Sequence, residues 1–84
     1  MLTIKILGSG CANCKRLEAV ARQAVSRLGA EAEVVKVTEY PEILKYSILS
    51  TPGLVINEKV VCAGRVPNES EVTMFLTSAL AQAV

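Results

Sequence analysis

Histidine and tryptophan are both absent from this sequence, and aromatics are few: Tyr40, Tyr46 and Phe75. Val, Ile, Leu and Ala must therefore fill any core. Without histidine, and with only three cysteines, a closed tetrahedral zinc site, which needs four ligands, is disfavoured. An odd, small number of cysteines also argues against a secreted mini-protein stapled by disulfides. There is no excess of one charge: nine basic and eight acidic residues give a net charge of +1. Nothing resembles the basic stripe that nucleic acid or an anionic membrane selects. Apolar runs are too short to span a bilayer, and the opening run leads straight into polar residues and cysteines, unlike a secretory signal. The expectation is a cytoplasmic protein whose thiols rest reduced.

What is present is 84 residues, 51% of them hydrophobic, enough for one compact domain over residues 1–84. A chain this short buries only roughly 60–65% of its unfolded surface, so its core has little to spare. LTIKIL (2–7) reads as a strand covered on both faces, and GSG follows as a loop signal. Leu17, Val20, Ala21, Ala24, Val25 and Leu28 then recur at helical spacing, with Gly29 as a C-terminal stop. AEVVKV (32–37) is a β-branched second strand, so the strand–helix–strand unit predicts a parallel pair with a right-handed crossover. EYPEILKYSIL (39–49) predicts a shorter helix with Ile43, Leu44 and Ile48 facing inward, broken at STPG. LVINEKVVCAG (54–64) predicts a hairpin turning at Asn57–Lys59. In the last segment Val72, Phe75, Leu76, Ala79 and Leu80 are helically spaced, behind a capping-box pair of Asn68 and Glu71. The order β-α-β-α-β-β-α predicts an α/β fold, a four-stranded mixed sheet with helices on both faces.

The chemistry centres on GSGCANCKRLE (8–18), which places Cys11 and Cys14 where the first strand gives way to the first helix. Residues i and i+3 share a helix face, so the two sulfurs come within bonding reach. Cys11 would stand at the helix N-terminus, where unpaired N–H groups and the positive dipole end favour thiolate, the nucleophilic form. Lys15 and Arg16 add positive charge nearby. On this reading Cys11 is the exposed nucleophile, and Cys14, beneath it, resolves a mixed disulfide. A soft metal or metalloid, Cu(I) or arsenite, remains an alternative occupant of the two thiolates. A third possibility is an interaction domain whose cysteines are idle. The loop also looks like that of heavy-metal-associated metallochaperone domains, but those run β-α-β-β-α-β and end on a strand, unlike this element order.

CANC at 11–14, KYSILSTPGLVIN at 45–57 with its TPG at 51–53, and GRV at 64–66 together resemble the thioredoxin-like superfamily. More narrowly, the chain resembles the small redox-active disulfide proteins that lack thioredoxin's extra N-terminal strand and helix. The resemblance implies a thioredoxin-like fold and a thiol–disulfide oxidoreductase acting on disulfide-containing proteins. It needs no cofactor beyond the Cys11–Cys14 disulfide, and a thioredoxin-reductase-like enzyme or glutathione restores it. It further implies a cis bond between Thr51 and Pro52 opposite the disulfide, where Thr51's backbone is free to pair with an extended substrate. Ala12 and Asn13 lie on the same contact rim.

The pattern departs from thioredoxins in two places. The buried acid that they carry in the strand before CxxC, thought to help the second cysteine lose its proton, is replaced by Lys5. Lys5 reads as an aliphatic stem carrying its ammonium to solvent, with thiolate stabilisation as the other possibility. The Trp and Gly-Pro of the WCGPC motif are also missing. Cys62, in KVVCAG, reads as a small buried hydrophobe, with a regulatory disulfide or third metal ligand as the alternatives. Glu39, Glu42, Glu69 and Glu71 fall at helix starts, where they suit the dipole, and form no catalytic carboxylate pair.

Overall fold

The computed structural model describes residues 2–8, 12–48 and 51–82. Its elements are β1 (Leu2–Leu7), α1 (Ala12–Leu28), β2 (Ala32–Val37), α2 (Tyr40–Leu44), β3 (Gly53–Ile56), β4 (Lys59–Ala63) and α3 (Glu69–Gln82). They form a four-stranded sheet in the order β2-β1-β3-β4. β1 pairs parallel with β2 and antiparallel with β3, and β3 pairs antiparallel with β4. This is the mixed α/β sheet that the element order predicts.

Alternation along β1 divides the molecule. Leu2, Ile4 and Ile6 point to one face, where they pack with Leu17, Ala21 and Ala24 of α1, Leu54 and Ile56 of β3, and Val72 and Leu76 of α3. Lys5 and Leu7 point to the other, which α2 covers thinly: the buried group there is Leu7, Val55 and Ile43, with Val37, Tyr46 and Ile48 at its margin. Removing each of the larger apolar side chains from water contributes about 1.5–3 kcal/mol, so the α1–α3 face supplies most of the stabilisation.

The local signals perform as expected at the helix ends. Gly29 closes α1 at φ 64°, a left-handed conformation open to glycine. Asn68 Oδ1 accepts from Glu71 N at 2.8 Å and Glu71 Oε1 accepts from Asn68 N at 3.3 Å, a reciprocal cap on α3. The hairpin turns on Asn57 and Glu58, with φ of 51° and 68°, as a two-residue turn matched to strand twist demands. Asn57 also ties the turn to β1, its N–H donating to Thr3 O at 2.8 Å and its Oδ1 accepting from Thr3 N at 3.0 Å.

Three expectations are corrected. The helix predicted over 39–49 stops at Leu44, and Ser47 takes φ 58°, which no helix continues through. With only five helical residues, a single side chain, Ile43, reaches the sheet, and Leu44 is left exposed. Leu28 and Leu80, in step with the apolar residues of their helices, are also exposed, each near the C-terminal end of its helix. Leu49 and Ser50 lie outside the described residues.

Candidate functional site

Cys11, the predicted nucleophile, lies outside the described residues, and its partner Cys14 is in the first turn of α1. Cys14 is buried, 5% exposed, whereas Ala12, Asn13, Lys15 and Arg16 around it are exposed. The first turn of α1 has no acidic residue. A helix N-terminus ordinarily gains from Asp or Glu there, so Lys15 and Arg16 oppose the local preference and add to the positive potential that favours thiolate.

The buried sulfur is accommodated by Gly8. A Cβ at that position would overlap Cys14 Sγ, would stand 3.4 Å from Cys14 Cβ, and would lie 3.8 Å from Thr51 Cβ. Gly8, Cys14 and Thr51 therefore meet at one point, although they come from the end of β1, the start of α1 and the segment before β3. The Thr51–Pro52 peptide is cis. Pro52 is buried and Thr51 exposed, and the Pro52 carbonyl accepts from Gly64 N at 2.9 Å, which ties the segment to the end of β4.

Beside Cys14 a cleft of about 60 Å³, wide enough for water, opens between α1 and β2; Gly8, Cys14, Lys15, Glu18, Lys36 and Thr38 line it. Glu18 spans its rim. The carboxylate accepts from Arg22 Nη2 at 2.9 Å and pairs with Lys36 Nζ at 3.1 Å, and the side chain is 16% exposed. Arg22 first, and then Lys36, hold Glu18 below its ordinary pKa.

Lys5 is elsewhere. Its ammonium donates to Tyr46 Oη at 2.8 Å and pairs with Glu58 at 2.6 Å, on the α2 face of the sheet. Glu58, and secondarily the Tyr46 hydroxyl, raise its pKa above the ordinary lysine value. Cys62 is partly buried, packs against the α1–α3 core, and lies 4.0 Å from the Arg65 carbonyl; it does not line the Cys14 cleft. Among the described residues no three His, Cys, Asp or Glu side chains cluster as metal ligands would, and nothing lends support to the Cu(I) or arsenite alternative.

The sequence profile of the thioredoxin domain family matches residues 2–77. A thioredoxin of Methanothermobacter thermautotrophicus is 40% identical over 77 residues, 92% of this chain and 100% of the relative. A thioredoxin of Methanocaldococcus jannaschii is 36% identical over 80 residues, 95% of this chain and 92% of the relative. The chain belongs to the thioredoxin family. Solved thioredoxins share its fold at lower identity. Thioredoxin 1 of Thermosipho africanus aligns with a TM-score of 0.59 at 21% identity, covering 96% of this chain and 97% of its own. Chloroplastic thioredoxin z aligns at 0.70 and 17%, covering 96% and 80%. As a thioredoxin-like redox protein it works through a cysteine disulfide rather than an added cofactor, and has disulfide proteins and a reductase as the family's partners. No helix among the described residues is long and apolar enough to cross a membrane.

Sequence reasoning missed Gly8, Glu18, Lys36 and Thr38 as residues of this thioredoxin's Cys14 surroundings. Gly8 had a usable signal, since glycine at a strand end marks a close approach of another group. Lys36 had none, because β2 and α1 are brought together only by the tertiary fold.

Proposed function

We propose that the chain is a cytoplasmic thiol–disulfide oxidoreductase in which Cys11 attacks a protein disulfide and Cys14 completes the exchange. The Cys11 thiolate bonds to one substrate sulfur and expels the other as a thiolate. Cys14, deprotonated in turn, attacks Cys11 Sγ, and the remaining substrate sulfur leaves. Two electrons pass from the dithiol to the substrate, and the Cys11–Cys14 disulfide remains. A thioredoxin-reductase-like enzyme or glutathione supplies two electrons to restore the dithiol. Thr51, Pro52, Ala12 and Asn13 form the rim on which the extended substrate segment is held.

The observation that carries this reading is the burial of Cys14 against Gly8 and Thr51, beside exposed Ala12 and Asn13. A sulfur so placed is shielded from a protein substrate but suited to attack the sulfur of the cysteine three residues earlier. The test is covalent trapping. Cys14→Ser is expected to accumulate mixed disulfides with substrate proteins, and Cys11→Ser to accumulate none. Equal trapping by the two variants would show that the roles are not divided in this way.

A further inference from the structure

Six of the nine basic residues are neutralised within the molecule: Lys5, Arg22, Arg27, Lys36, Lys45 and Arg65 each pair with a carboxylate. Lys59, beside the hairpin turn, is engaged as well. Lys15 and Arg16 are exposed and have no carboxylate partner among the described residues. They are the two residues that follow Cys14, so the unpaired cations stand together beside the redox pair rather than scattered over the surface. Arg16 shares a helix face with exposed Ala12, and Lys15 borders the cleft beside Gly8 and Cys14. Helical side chains lean back towards the helix N-terminus, which carries both stems towards the rim of Ala12 and Asn13. No free acid answers them there. Glu18, the one carboxylate of α1, is committed to Arg22 and Lys36. Glu31 and Glu33, which have no cation partner among the described residues, lie beside the start of β1, at the far end of the sheet. Glu39, also without one, precedes α2, which packs on the opposite face.

We propose that Lys15 and Arg16 select substrate proteins whose disulfide lies in an acidic segment, attracting carboxylates that flank the substrate's cysteines and repelling a basic segment. The inference rests on the proposed roles of Cys11 and Cys14, and adds the chemistry of the protein on which they act. Rim charges of this kind govern the rate of encounter and the choice of partner, and salt screens them. Two cations facing two carboxylates about 10 Å away in water change an encounter rate by about tenfold. Positive charge at this position also favours thiolate, but that speeds exchange with every disulfide alike. Selection is therefore expressed in the ratio between substrates, and not in the rate with any one of them.

The test uses three short cyclic peptide disulfides that differ only in the two residues beside their cysteines: glutamates, glutamines or lysines. Reduced protein is oxidised as each peptide is reduced, two electrons passing from the protein dithiol to the peptide disulfide. Each second-order rate constant is divided by that peptide's rate with dithiothreitol, which removes its intrinsic reactivity. At low salt the parent is expected to favour the glutamate peptide over the glutamine peptide by about tenfold and to react slowest with the lysine peptide. The spread should collapse as salt is added. The double variant Lys15→Gln, Arg16→Gln should bring the three rates together, and Lys15→Glu, Arg16→Glu should reverse their order. An order that is the same in the parent and the charge-reversed variant, or that survives high salt, overturns the inference. So does equal slowing of all three peptides in both variants, which marks a changed thiolate and no selection. A parent that reduces none of the peptides would instead overturn the roles of Cys11 and Cys14.

Discussion

Gly8→Ala is the sharpest test of how the site is assembled, because one methyl group is directed at one sulfur. The added Cβ would overlap Cys14 Sγ, and its next neighbours, Cys14 Cβ at 3.4 Å and Thr51 Cβ at 3.8 Å, are at ordinary contact distance. Overpacking of a filled site costs about 1–3 kcal/mol. For a chain of this size about 1 kcal/mol moves Tm by roughly 4–8 °C, so a loss of roughly 4–24 °C is expected for the reduced protein. The cost should vanish when the sulfur is removed. In a Cys14→Ala background only the ordinary contacts remain, and alanine restricts the unfolded chain by about 0.4–1 kcal/mol relative to glycine, so the same substitution becomes neutral or slightly stabilising. The assay is a double-mutant cycle by thermal or urea denaturation, with an expected coupling of about 1–3 kcal/mol between positions 8 and 14. Gly29→Ala serves as the control. At φ +64° with no atom within 4 Å of its Cβ, it should cost about 1–2 kcal/mol equally in both backgrounds. A Gly8→Ala penalty that is the same with and without the Cys14 sulfur would refute the placement of that sulfur against Gly8.

Two further predictions concern the frame. Asn68→Ala removes the side-chain half of the α3 cap and should cost about 1 kcal/mol, read as a fall in Tm of roughly 4–8 °C. Acid should destabilise the fold in a defined window. Glu18 lies below the ordinary 4.5 because of Arg22 and then Lys36, Glu58 because of Lys5 and then Tyr46, and Glu71 because of Arg65 and then the Asn68 N–H. A carboxylate whose folded pKa is depressed contributes stability above its unfolded value and loses it as pH falls through the folded value. Tm should therefore be level from about pH 7 to about pH 5 and fall below that, with Glu18→Gln, Glu58→Gln and Glu71→Gln each flattening the fall; an unchanged acid limb in all three would contradict the pairings.

The fold was legible because its signals are local and mutually consistent. β1 and β2 occupy the runs LTIKIL and AEVVKV, and the apolar spacing of α1 ends where Gly29 allows it to end. The errors of burial share one cause. Leu28, Leu44 and Leu80 fit the helical period, yet periodicity says which face a residue shares and nothing about whether an element covers that face. The site was half legible. CANC at a strand–helix junction is a sequence feature, and burial of Cys14 follows from the helix face it shares with Leu17 and Ala21. The cleft beside it depends on β2 lying next to β1, so that Lys36, paired in register with Ile6, points towards α1. No window of sequence contains that neighbour relation.

The same register explains why Lys5 belongs to the frame rather than to the chemistry. Lys5 pairs with Val55, which points to the α2 face, and α2 is too short to cover that face beyond Ile43. An apolar residue at position 5 would stand partly in water, whereas an acid there would meet Glu58, already fixed in the hairpin turn at φ 68°. A lysine satisfies both demands: its stem covers the sheet beneath Tyr46, and its ammonium joins Glu58 and the Tyr46 hydroxyl, with the ring centroid 5.6 Å away. Position 5 is thus committed to closing a thinly covered sheet, and the cleft beside Cys14 lies on the other face, where β2 presents Lys36.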